Sequence, residues 1–243
     1  MTTHAVIFAP LGQATRAEQV VERLTNAIVS GLLEAHEQLP NEADLAKSMG
    51  VSHITIREAL NTLRTKAYIY TTRGRNGGSF VCQRTQLIDN EHPLQQISTN
   101  YLADLGELHC AIMKHSISLA IERSTAKEQQ KLEEFIELFF EATTPEQKAH
   151  ADMRCLLTIA ANAQSPRLAQ QALSIQTEWA SLIAMLYQDN EIYQQTVKTY
   201  QQLLHCFSQH DDVNATRLMG KMILALTENL IELKFTIERK LVE

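Results

Sequence analysis

Two short helical patterns joined through Gly50-Val51-Ser52, with a glycine-rich hairpin close behind, constrain this chain more than any other feature of it. Asn41 is suited to cap the first pattern, Asp44 follows three residues later to help hold the free amides, and Leu45, Ala46 and Met49 fall on one side. Gly50 stops that helix and Ser52 is a good cap for the next. From Ile56 the apolar positions Ala59, Leu60 and Leu63 keep helical spacing, so one stripe meets a core. The other faces carry His53, Ile54, Thr55, Arg57, Glu58, Asn61 and Arg64.

A polar, partly cationic first turn after a helix and a tight turn can present side chains and amide dipoles to a major groove. Residues 68–73 are aromatic and β-branched, then come Gly74-Arg75-Asn76-Gly77-Gly78 and a short strand of Ser79, Phe80 and Val81. That is a hairpin with a glycine-rich tip. No Gly-Lys-Ser/Thr follows and no helix opens after the turn, which excludes a phosphate-binding loop. Arg73 and Arg75 therefore read as a wing that reaches DNA backbone or minor groove, and residues 40–81 as a winged helix-turn-helix for duplex DNA.

A net charge of −6 argues against nucleic acid until its distribution is considered. Residues 1–85 carry 9 Lys/Arg against 7 Asp/Glu, and the remainder 13 against 21. A weakly cationic head can meet a duplex through one face while the acidic body is repelled from it. With 44% hydrophobic and 21% charged residues, the chain is neither disordered nor of low complexity. Its start, MTTHAVIFAPLGQ, lacks the basic run and apolar core of a secretory signal, and no apolar stretch approaches the roughly 20 residues of a membrane span, so a cytoplasmic protein is expected. Cys82, Cys110, Cys155 and Cys206 lie far apart and read as reduced thiols.

Ahead of the turn motif, residues 16–31 form a helix with Val20, Leu24 and Ile28 inward and Gly31 as its stop. Residues 83–96, polar and containing Pro93, form a linker that lets the two halves change orientation. From Ile97 the pattern is helical, with breaks near Thr125, Thr144-Pro145, Ser165-Pro166, Asp189-Asn190 and Asp211-Asp212. The expected fold is mainly α: a winged helix-turn-helix with a small β-ribbon over residues 1–82, then an antiparallel bundle of about six helices over residues 97–243. The last helix, from about Val213, turns Ala215, Leu218, Met219, Met222, Leu226, Leu230 and Leu233 inward. Trp179, the one tryptophan, reads as core packing rather than a ligand platform.

Leu39-Pro40-x-Glu42-x-x-Leu45-Ala46, Gly50-Val51-Ser52, Arg57-Glu58-Ala59-Leu60-x-x-Leu63 and Gly77-Gly78-x-Phe80-Val81 together resemble the DNA-binding domain of GntR-family bacterial regulators. The resemblance implies that Ser52, His53, Ile54, Thr55, Arg57, Asn61 and Arg64 read DNA together with a wing of Arg73, Arg75 and Gly77. His53 stands where the family usually has an arginine, and Ala43 where it often has a basic residue. Arginine reads guanine bidentately, so a changed operator is expected, with Ile54 placed to pack on a thymine methyl or simply exposed.

Asp104-Leu105-x-Glu107-Leu108, Leu119-Ala120-x-Glu122-Arg123, Asp152 with Ile159-Ala160, and Pro166-x-Leu168 are similar to the FCD-type sensing domain of the FadR subfamily. Its metal-binding members hold a divalent cation with an aspartate and three histidines, at positions that fall here on Asp152, Leu156, Tyr200 and Met222. Only the aspartate is a suitable ligand, so no metal and no cofactor are expected. The implied effector cavity is lined by His109, Met113, Asp152, Leu156, Tyr200 and Met222, with His109 where the family commonly has an arginine for a carboxylate effector. Such a pocket suits a small organic effector with an acyl or aromatic portion, a carboxylate with an apolar part included, anchored by Tyr200 and His109. The alternative is a cavity filled by its own Met and Leu side chains.

These features lead to a homodimeric DNA-binding transcriptional regulator on a pseudo-palindromic operator, tuned by an effector, with repression the commoner mode in the family. A ligand-independent architectural protein is the alternative. An enzyme would need a catalytic motif, and no Gly-x-Ser-x-Gly or His-Glu-x-x-His is present.

Overall fold

The computed structural model describes residues 16–29, 31–72, 77–83 and 93–242. The chain divides into a head, residues 3–87, and a body from residue 88 onward. In the head, α1 (Arg16–Val29) buries Val20, Leu24 and Ile28, as its spacing predicts. Helix α2 (Glu42–Met49) starts where Asn41 Oδ1 accepts from the Asp44 amide at 2.9 Å, and ends at Gly50, whose φ of 66° is left-handed. That conformation favours glycine, and it redirects the chain within two residues into α3 (His53–Thr65). Ser52 Oγ caps α3 by accepting from the Thr55 amide at 3.1 Å, and Ile56, Ala59, Leu60 and Leu63 are buried.

Strand β1 (Ile69–Thr72) pairs antiparallel with β2 (Gly78–Val81), setting Ile69 opposite Val81 and Thr72 opposite Gly78. The ribbon is shorter than the sequence suggests. Tyr68 stays outside it, its amide bonded to the carbonyl of Leu63 at the end of α3. On its other edge, β2 bonds residues 36–39, with Gln38 bridged to Phe80. Tyr70 stacks on Phe80 at 5.6 Å and stiffens the hairpin. Arg73 and Arg75, and linker residues 84–92, lie outside the described residues.

The body begins with one turn, α4 (Pro93–Gln96), tied down by Lys234 Nζ donating to the Leu94 carbonyl at 3.0 Å. Six long helices follow: α5 (Thr99–Arg123), α6 (Ala126–Glu141), α7 (Pro145–Asn162), α8 (Pro166–Leu186), α9 (Asn190–Gln209) and α10 (Asp212–Val242). Each break predicted from sequence becomes a helix start with a physical cause. Thr125 with Glu128, and Thr144 with Gln147, form reciprocal capping boxes, and Pro145 and Pro166 open their helices.

Helices α5 and α10 run antiparallel, with Gly106 against Thr227, Cys110 Sγ near the Gly220 carbonyl at 3.9 Å, and Ser118 bonded to Asp212 at 3.2 Å. A Cβ on Gly106 would lie 2.3 Å from Thr227 Oγ1, so the absence of a side chain permits this close approach. Along α10, Ala215, Met219, Met222, Leu226 and Leu230 are buried as expected, whereas Leu218 and Leu233 are only half-buried. Their places in the core belong to Ile223 and to the packing of Thr227 and Lys234 against α5 and α4, which rotates the inner stripe toward that side.

Candidate nucleic-acid interface and effector site

Five of the expected DNA-reading side chains share one face of α3. His53, Ile54, Arg57, Asn61 and Arg64 fall within roughly 100° of arc on a 3.6-residue helix, and all five are exposed, Ile54 at 68%. Thr55 does not join them. It is half-buried, it projects from nearly the opposite side, and its hydroxyl lies 2.9 Å from Ser52 Oγ in the cap. Ser52 and Thr55 therefore build the helix start that presents the others.

Arg57 is held before any ligand arrives. Its Nε donates to Glu42 Oε2 at 2.7 Å, and this hydrogen bond and charge raise the guanidinium pKa further above its ordinary value. With Nε engaged and the side chain exposed, the two terminal nitrogens are the donors that remain for a ligand. Glu42 was legible as a motif residue but not as the group that orients Arg57. In the wing, Gly77 accepts from Gln38 Nε2 at 3.3 Å through its carbonyl, fixing the base of the tip.

All six expected effector residues are buried, but they fall into separate groups. Asp152 Oδ1 accepts from the Tyr200 hydroxyl at 2.5 Å, with Tyr187 beside the same carboxyl. Phe139 packs on Tyr200, Tyr193 and Tyr187 at 5.2, 5.1 and 5.8 Å, closing an aromatic cluster over it. Burial pushes the Asp152 pKa up to about 6, and the hydrogen bond from Tyr200 only partly opposes this. Leu156 lies one turn along α7 and offers no donor atom, so this set does not fit a divalent cation. Among the described residues no group of three His, Cys, Asp or Glu converges anywhere else.

His109 forms a second group, which sequence reasoning reached only in part. Gln176 Nε2 donates to His109 Nε2 at 3.1 Å, and the Trp179 ring meets the imidazole edge-on at 4.7 Å. Burial lowers the His109 pKa to about 3, so the ring is neutral and its proton sits on Nδ1. His109 Nδ1, Gln176 Oε1 and Trp179 Nε1 are buried without a hydrogen-bond partner among the described residues. Gln176 and Trp179 are three apart on α8, a spacing that could have paired them from sequence. Met113 lies one turn from His109 on α5. Met222 instead walls a groove of about 670 Å³ between α9 and α10, floored by Ile192, Leu218 and Leu226 and edged by Arg217 and Lys221.

Residues 16–81 match the bacterial regulatory proteins of the gntR family, and residues 104–225 match the FCD domain. The chain belongs to the GntR family. It is a helix-turn-helix transcriptional regulator with an FCD ligand-sensing domain, and the fold expected from its sequence is the one observed. A relative from Mycobacterium gastri, described as the HTH-type transcriptional regulator RmpR, is 33% identical over 235 residues, covering 95% of this chain and 86% of that one. A protein of Escherichia coli described as the regulatory protein of an L-lactate dehydrogenase operon is 32% identical over 153 residues, 59% of this chain and 57% of its own. The solved structure of McbR/YncC from Escherichia coli shares the fold at 17% identity, with a TM-score of 0.53 over 90% of this GntR chain and 99% of that one. No helix among the described residues is long and apolar enough to cross a membrane.

Proposed function

We propose that this GntR regulator acts as a homodimeric repressor that reads a pseudo-palindromic operator through the exposed face of α3, under control of a small organic effector bound in the FCD domain without a metal. The observation that carries the DNA half is the shared exposure of His53, Ile54, Arg57, Asn61 and Arg64, with Arg57 oriented by Glu42. Arg57 and Arg64 supply phosphate or guanine contacts, Asn61 an amide for adenine, and Ile54 an apolar surface for a thymine methyl. With Arg73, Arg75 and Gly77 as the wing, one head spans one half-site, and two-fold pairing supplies the second.

The unpartnered atoms around His109 support the effector half. A neutral imidazole, an indole N–H and an amide together offer donors and an acceptor but no positive charge. A free carboxylate, which only accepts, would leave Gln176 Oε1 opposed to it. The polar end that satisfies this set is therefore an uncharged hydroxyl or amide, on a ligand whose apolar portion reaches toward Met113 and Leu156. Asp152 and Tyr200 already satisfy each other and act as the floor, while Met222 lines the groove of α9 and α10 instead. The close packing of Phe139, Tyr187, Tyr193 and Tyr200 supports the second reading, a body that fills itself and senses nothing.

Selection of bound duplexes from a random pool tests the first half. The enriched sites should be pseudo-palindromes, and Arg57→Ala should lose them; enrichment of isolated half-sites would rule out the dimeric mode. For the second half, hydroxyl- and amide-bearing compounds are screened by Trp179 fluorescence and thermal shift, then by operator binding. A hit that changes operator affinity in the native protein but not in Gln176→Leu supports the sensor, and a screen empty of hits supports the self-filled body. A reporter gene behind the selected site, silenced by the protein, distinguishes repression from activation.

A further inference from the structure

Helix α10 has α5 on one side and α9 on another, and a third face looks outward. Val213, Leu224 and Phe235 are exposed there at 76, 44 and 48%, with Ile231 half-buried between them. They recur every 11 residues, close to three whole turns, so they form a nearly straight apolar line ~33 Å long. Large apolar side chains in such a line call for a cover.

The charges along the same face identify the cover. Arg217 and Lys221 occupy the first half of the line, Glu228 and Glu232 the second, and all four are exposed. Among the described residues Lys221, Glu228 and Glu232 make no ion pair, and Arg217 donates to Asn214. A second α10 laid antiparallel about a two-fold axis between Leu224 and Ala225 sets Lys221 against Glu228 of the other copy, and Arg217 against Glu232. Each pair occurs twice. The same operation sets Val213 beside the other copy's Phe235 and the two Leu224 side chains at the centre. A two-fold axis perpendicular to both helices also brings like flanks together, and Lys221, Glu228 and Glu232 lie on one flank of the line. A parallel arrangement would oppose like charges.

We propose that this outward stripe of α10 is the dimer interface, packed antiparallel on the same stripe of a second copy. An isologous surface has to complement itself, and this one does so in both charge and shape of the apolar line. The inference rests on the dimeric reading above.

Sedimentation of the full-length native protein comes first: a monomer at all concentrations would end the dimeric reading and this inference with it. For a native dimer, Leu224→Cys in a Cys82→Ser background should give a disulfide-linked dimer under mild oxidant, while Leu138→Cys, exposed on α6, should not. Arg217→Glu with Lys221→Glu should weaken dimerisation by at least about tenfold, as should Glu228→Lys with Glu232→Lys, and an equimolar mixture of the two should restore it. A native dimer that neither cross-links at residue 224 nor responds to charge reversal overturns the interface while leaving the dimer intact. Should a reversal variant fail to fold by circular dichroism, the cross-link decides alone.

Discussion

The head and the body handle polar side chains in opposite ways. On α3 the polar residues stand in solvent, the free amide at the helix start met by Ser52, so their identities are free to answer to DNA. In the body the significant polar residues are inside, and each must find a partner or remain unsatisfied: Asp152 has Tyr200, whereas His109 Nδ1, Gln176 Oε1 and Trp179 Nε1 have none. Function and stability separate along this division. Exposed groups can change with little effect on folding, while every change to a buried group is felt by the fold.

The largest expected effect tests the exposed side of the comparison. Arg57→Ala removes one cationic contact per head, each worth ~1–3 kcal/mol, and a dimer loses two. Operator affinity should fall on the order of 100-fold or more, measured by titration at fixed salt, while the melting temperature stays within about a degree because the exposed Glu42 pair contributes little. A melting temperature lowered along with affinity would mean that Arg57 acts through folding, and the contrast between the halves would fail.

Asp152→Asn tests the buried side. The carboxyl pKa is raised by burial from 3.8 to about 6, so the folded state holds its proton between those values while the unfolded state has released it. Stability therefore falls as pH rises through that window, and above pH 6 the ionised form costs roughly 3 kcal/mol. The neutral amide keeps an acceptor for Tyr200, so the variant should gain roughly 2–3 kcal/mol at pH 8 and almost nothing at pH 4 in denaturant unfolding. His109 runs the other way: its pKa is lowered to about 3, so its contribution is complete above pH 6.5 and lost as pH falls. Asp152→Asn should leave that acid-side slope alone; equal gains at both pH values would show that the carboxyl is not the cause.

A somewhat smaller effect belongs to the contact of α5 with α10. In Gly106→Ala the new methyl would meet the Thr227 side chain, whose Cβ would be 2.9 Å away and whose β-branched rotamer gives little. About 2 kcal/mol of stability should be lost, the usual cost of overpacking, with the operator affinity of the remaining folded protein unchanged. Recovery by Thr227→Ala in the same background would place the clash where the geometry has it, and failure to recover would move it elsewhere.

The two halves also differ in how far their sequences could be read. The head was legible because its signals are local: Asn41, Gly50 and Ser52 each act within four residues, and the face of α3 follows from helical spacing. Thr55 was expected to touch DNA with the others, but helical spacing sets it nearly opposite them and its hydroxyl is drawn back to Ser52. The helix breaks of the body were legible for the same reason, since Thr125, Thr144, Pro145 and Pro166 act at the point where they stand. The interior was not. Tyr200 and Asp152 are 48 residues apart, and Gln176 and His109 are 67 apart, so their pairing depends on how four helices pack rather than on any spacing within one.

Ser52→Ala carries the smallest expected effect and probes the point where the two kinds of role meet, because Ser52 is both a cap and an exposed residue expected to touch DNA. Its Oγ satisfies the Thr55 amide and lies against the Thr55 hydroxyl, so alanine leaves a helix-start donor to water and costs ~1 kcal/mol in the head. The effect on operator binding depends on what Ser52 does there. If it only holds the helix start, affinity should fall no more than about threefold and Ser52→Asp, also a good cap, should restore head stability. A Ser52 hydroxyl that touches phosphate would give the reverse ranking for affinity, with aspartate worse than alanine through charge repulsion. Measuring stability and binding on both variants thus separates a residue that shapes the reading face from one that reads.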